Sequence, residues 1–106
     1  MRTITKAVLF GMVIAATAGC DRVVQKATGQ ILKIKMVEIC GEEDKGCLAA
    51  VDEQYGACET KYENEWSAYM NARSSKEDAL LDDYMSKLFT CVVDVDGDPY
   101  FEYSPG

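Results

Sequence analysis

Apolar positions recur along this chain with different spacings, and each spacing predicts a different element. The most regular run begins at Leu48. Leu48, Val51, Tyr55, Cys58, Tyr62, Trp66 and Tyr69 recur in steps of three and four, which is the repeat of one helix face. Glu53, Glu59, Lys61, Glu63 and Glu65 fill the other faces. The pattern therefore predicts one amphipathic helix of about 25 residues with a mostly aromatic stripe. A second helix is predicted over residues 75–91, with Leu81, Tyr84, Met85, Leu88 and Phe89 on one side and Asp83 and Lys87 as an outward i,i+4 ion pair. Ala72-Arg73-Ser74-Ser75 interrupts the repeat between them. Ser74 followed three residues later by Glu77 matches a capping box. Two antiparallel helices joined by so short a turn make a helical hairpin.

The flanks are less regular. In residues 21–41, Val24, Ala27, Ile31 and Ile34 fall at helical spacing, while Leu32, Ile34 and Met36 alternate with Lys33 and Lys35 as a strand would. The longer repeat favours a helix. Cys40-Gly41-Glu42-Glu43-Asp44-Lys45-Gly46-Cys47 is charged and bracketed by glycines, so it reads as a loop. Near the end, Val92 to Val95 is β-rich, Asp96-Gly97 is a hairpin-turn signal, and Tyr100 to Tyr103 supplies a return strand. The fold class expected is mainly α. It is a disulfide-stapled antiparallel helical hairpin or three-helix arrangement, with a short C-terminal β-hairpin or extended tail.

The first residues have a different logic. Arg2 and Lys6 precede an apolar run over residues 7–16, followed by small residues up to Cys20. That is the layout of an export signal, and the run is shorter than the roughly 20 apolar residues of a membrane span. Ala16-Thr17-Ala18 offers an ordinary signal-peptidase site. Thr17-Ala18-Gly19-Cys20 resembles the lipobox of bacterial lipoproteins, although Thr17 stands where Leu, Val or Ile is usual. The resemblance covers only this first fifth of the chain. It implies cleavage before Cys20, acylation of that cysteine, and attachment to the bacterial cell membrane on the periplasmic side. Asp21 resembles the inner-membrane retention signal of enterobacterial lipoproteins, with the outer membrane as the alternative. Three segments follow: a lipoprotein signal peptide over 1–19, a lipidated tether and possible first helix over 20–41, and an acidic disulfide-stapled helical domain over 42–106.

Cysteine arithmetic points the same way. The chain has five cysteines, and an odd thiol in an oxidising compartment is a liability. Lipid on Cys20 leaves Cys40, Cys47, Cys58 and Cys91 as an even set. With the turn near Ser74, antiparallel helices bring position 58 opposite about position 90. Cys47 and Cys58 cannot pair within one helix, because eleven residues rise roughly 16 Å. The expected bridges are Cys58–Cys91 and Cys40–Cys47.

Charge and chemistry narrow the function. Loss of Arg2 and Lys6 takes the formal net charge from −7 to about −9, which repels phosphates and anionic headgroups, so nucleic acid is a poor partner. The chain has no histidine, the commonest general base and metal ligand. Asp94, Asp96 and Asp98 alternate as in a calcium loop. Pro99 and Pro105, however, occupy the places where an EF-hand needs glycine and glutamate, so a turn is expected there and no metal or other cofactor. No CxxC pair, serine elbow or phosphate loop is present, and Asp82-Asp83 are neighbours that do not face each other across a cleft. A non-catalytic protein-binding module of the envelope is expected, of an immunity, inhibitor or exclusion type. An accessory structural subunit of an envelope, secretion or conjugation complex is the alternative. Candidate contact residues for another envelope protein are Tyr62, Trp66 and Tyr69 on the aromatic stripe and Asp94, Asp96 and Asp98 in the acidic turn.

Overall fold

The computed structural model describes residues 2–5, 21–72 and 74–105. Cys20, the rest of the predicted signal from residue 6 onward, and the Ser74 side chain of the predicted capping box lie outside the described residues. The order is β1 (Arg2–Thr5), α1 (Asp21–Cys40), α2 (Lys45–Lys61), α3 (Glu63–Met70), α4 (Ser74–Cys91) and β2 (Phe101–Ser104). The architecture is mainly α, with a two-stranded sheet and two disulfides.

The predicted helix of about 25 residues bends at Tyr62, which ends α2 and starts α3 with φ −109° and ψ 23°. Backbone hydrogen bonding continues across the bend, from Tyr62 N to Cys58 O (3.3 Å) and from Trp66 N to Tyr62 O (3.1 Å). Both arms stay against α4. Cys58 is bonded to Cys91, and the Trp66 ring meets Tyr84 at 5.1 Å. The face of α4 that the sequence marks as apolar is the one that packs: Tyr84, Met85, Leu88 and Phe89 are buried and Leu81 half-buried. On the outside, Asp83 and Lys87 pair at 3.1 Å.

The first helix forms, but rotated from the expected stripe. Gln25, Gly29, Leu32, Met36 and Cys40 face inward, while Ala27 is exposed and Ile34 is 57% exposed. Two features fix the rotation. Cys40 is bonded to Cys47, with Cα atoms 5.6 Å apart. Midway along, a Cβ at Gly29 would meet the Glu59 carboxylate and come within 3.2 Å of the Tyr55 hydroxyl, so any larger residue there would have to displace the Glu59 side chain. Gly41, at φ +82°, ends the helix in the left-handed conformation that glycine adopts cheaply. Asp44 then caps α2 by accepting a hydrogen bond from Cys47 N (3.1 Å).

The C-terminal hairpin is replaced by a different pairing. The turn is present, with Gly97 at φ +84°, Tyr100 N bonded to Val92 O (3.0 Å), and a single antiparallel bridge between Val93 and Pro99. Pro99 has no N–H to extend the ladder. The peptide of Val93 is taken instead by Gln54 of α2, whose Nε2 donates to Val93 O (2.8 Å) and whose Oε1 accepts from Val93 N (2.9 Å). Beyond the proline, β2 pairs in parallel with β1, Arg2 opposite Phe101 and Thr5 opposite Ser104. Residues 2–5 of the segment read as a signal are therefore part of the folded unit, and Ile4 lies in the same apolar cluster as Leu32, Val51, Leu88 and Phe101.

Candidate functional site

Three places merit a functional reading: the aromatic stripe, the acidic turn, and the edge where β1 meets β2. On the stripe, Trp66 is only 4% exposed. Its ring lies 5.4 Å from Tyr69 and 5.1 Å from Tyr84, both in tilted geometry that suits aromatic quadrupoles. Trp66 thus lies in the core cluster, because α3 turns its apolar face to α4. Tyr62 and Tyr69 remain half-buried at the rim of that cluster, and Lys61 Nζ stands 5.5 Å over the Tyr62 ring.

The acidic turn is built by its first member. Asp94 Oδ1 accepts from Asp96 N (2.9 Å) and Asp98 N (3.0 Å), and Asp94 N donates to Asp98 O (2.8 Å). This is the local side-chain-to-backbone bonding typical of aspartate in turns. Asp94 is committed to structure, while Asp96, Asp98 and the fully exposed Val95 form the outer rim. Among the described residues, no group of three or more Cys, Asp, Glu or His side chains is placed to hold a metal ion. The stripe and the turn meet α4 at separate places. Trp66 packs at Tyr84 and the turn follows Cys91, on the order of 12 Å further along the axis.

A buried polar contact between α1, α2 and α4 carries no signal in the sequence. Gln25, 4% exposed, donates from Nε2 to Glu59 O (3.3 Å) and to the Tyr84 hydroxyl (3.4 Å). Burial pushes the Tyr84 pKa up to about 12, and it raises those of Tyr55 and Glu59. No hydrogen bond of ordinary geometry reaches the Tyr55 hydroxyl, although the Glu59 carboxyl lies beside it. The groups are phenols, one amide and one acid on packed helices, an arrangement that fixes helix rotation.

The β1–β2 edge is the third place. Arg2 N donates to Tyr100 O (3.1 Å), and its guanidinium bonds the Asp44 carboxylate. The hydrogen bond from Cys47 N, and then that Arg2 contact, hold the Asp44 pKa below its ordinary range. Arg2 and the Cys40–Asp44 loop line an open hollow of about 530 Å³. Further along β2, Tyr103 stacks on Phe89 at 6.1 Å and donates to Asp82 Oδ1 (2.9 Å). The sequence reading missed this edge because it set residues 1–19 apart. The alternation of Thr3, Ile4 and Thr5, two β-branched threonines about an isoleucine, was the available signal.

No described helix is long and apolar enough to cross a membrane. No family model matches the chain, and no curated protein or solved structure is similar to it.

Proposed function

We propose that the chain is an exported lipoprotein, held to the cell membrane through acylated Cys20, whose acidic helical domain binds another envelope protein without catalysing a reaction. One observation carries the reading. Cys40 pairs with Cys47 and Cys58 with Cys91, so four of the five cysteines are taken and none is left in the chain to pair with Cys20. Cys20 closes the Ala18-Gly19-Cys20 sequence that a lipoprotein signal needs. Disulfides belong to oxidising compartments, which agrees with export. Two or more acyl chains hold a protein firmly to a bilayer where one does not, and a domain of about −9 charge gains nothing from anionic headgroups.

The surface of the folded domain supports the binding role. Its outer surface is strongly acidic, with Tyr62 and Tyr69 half-buried at the rim of the aromatic cluster and Asp96 and Asp98 exposed on the acidic turn. Labelled palmitate is expected in the native protein and absent from Cys20→Ser. Equal labelling of both overturns the anchor. Crosslinking of the anchored protein in membranes is expected to capture one envelope protein, and capture that survives scrambling of the domain overturns the binding role.

A further inference from the structure

We infer that the slot now filled by β1 is a strand-docking groove, and that in the processed protein it takes an extended segment of a partner with a basic residue two positions before an aliphatic one. The inference rests on the reading that cleavage occurs before Cys20.

Cleavage there removes Arg2–Thr5 from a fold that has built them in. Three interactions are lost together. Ile4 is 1% exposed and lies in the core cluster with Phe101, itself fully buried, so its removal leaves an apolar hole. Among the described residues β2 has no other strand beside it in the sheet, so all four of its residues lose their ladder. Asp44 loses the Arg2 guanidinium. An unpaired strand edge next to an apolar hole is the arrangement that extended peptides complete by adding a strand. Main-chain bonds then give affinity, and alternate side chains give specificity.

The present occupant shows what the slot accepts. Position 4 is a buried aliphatic, position 3 is exposed, and position 2 is half-buried beside an acid. The occupant runs parallel to β2. A basic–x–aliphatic segment meets all three demands, and a domain of about −9 charge steers basic chains toward itself.

The test uses the full chain with a protease site replacing residues 9–15, folded with both disulfides and then cut. The probe is a fluorescent peptide of residues 1–7. It is expected to bind the cut chain saturably, by exchange with the released strand, and to leave the uncut chain unlabelled. Ile4→Asp in the peptide is expected to weaken binding by about a hundredfold or more, since it places a charge in the apolar hole. Arg2→Glu in the peptide weakens it several-fold, and Asp44→Lys in the protein restores that loss. Should the cut chain unfold, recovery of its near-ultraviolet circular dichroism by the native peptide, and not by the Ile4→Asp peptide, supports the groove equally. Equal binding to cut and uncut chain, indifference to Ile4→Asp, or neither binding nor recovery at millimolar peptide overturns it. Membrane crosslinking separates the two claims. Peptide docking without a captured partner spares the groove and removes the binding role, and capture without peptide docking does the reverse.

Discussion

At the scale of single residues, two side chains decide between structure and contact. Trp66 is enclosed by Tyr69 and Tyr84, so Trp66→Ala should lower unfolding stability by about 3–5 kcal/mol in a denaturant titration. A change below about 1 kcal/mol would return this ring to the surface. Glu59 is the second. Burial raises its pKa above the ordinary 4.5, so the folded chain keeps this proton at pH values where the unfolded chain has lost it. Its contribution therefore disfavours folding increasingly as pH rises through that window. Glu59→Gln should be more stable than the native chain at pH 7, with the gap closing toward pH 4, read from urea midpoints at both. Asp44 works in the opposite sense: its lowered pKa adds stability above the carboxylate range that is lost as pH falls through it. The place of Trp66 was legible from its position on the apolar stripe, whereas the burial of Glu59 and the contacts of Asp44 were not. Tyr55, Glu59 and Tyr84 occupy ordinary helical positions, and only the approach of α1 at Gly29 brings a glutamate and two phenols under cover.

At the scale of elements, periodicity located the helices and failed on their orientation. Steps of three and four read correctly on α2 and α4 because their stripes are long and uniformly apolar. On α1 the inward face includes Gln25 and Gly29, which no apolar count selects, and the competing stripe through Ile31 and Ile34 looked better. The bend at Tyr62 has no glycine or proline to announce it. The terminal hairpin failed for a local reason, the missing N–H of Pro99, and for a distant one, the hold of Gln54 on Val93. Gln54→Ala should free both Val93 groups and cost about 1–3 kcal/mol, with amide exchange accelerating first at residues 93–100. The bridges were legible because helix geometry permits few pairings. On the chain-entropy account, losing Cys58–Cys91 should cost roughly 3.5–4 kcal/mol and losing Cys40–Cys47 about 2.5. Paired serine variants compared by thermal melting would give that order, and the reverse order would show that native packing outweighs loop length.

At the scale of the whole molecule, the fold is an elongated body of 39 × 26 × 24 Å closed by a strand pair that joins its two ends in sequence. The order in which its parts are made bears on that closure. Arg2 pairs with Phe101, so β1 waits for a partner about 100 residues away, and ribosomes add roughly 5–20 residues each second. The strand at the front of the chain is thus exposed for about 5–20 s before the strand that receives it exists. Closing so long a loop is also the slowest class of contact to form. On the export reading, the targeting machinery meets Arg2 and the apolar run during that interval, well before the sheet can shelter them. Export and sheet closure then compete for one segment, and synthesis rate decides the race. Slowing the ribosome near the 3′ end of the message should favour export and yield more chains with an empty groove. A faster finish should favour retention, and chains that keep their first residues would leave the cell's synthesis machinery already closed.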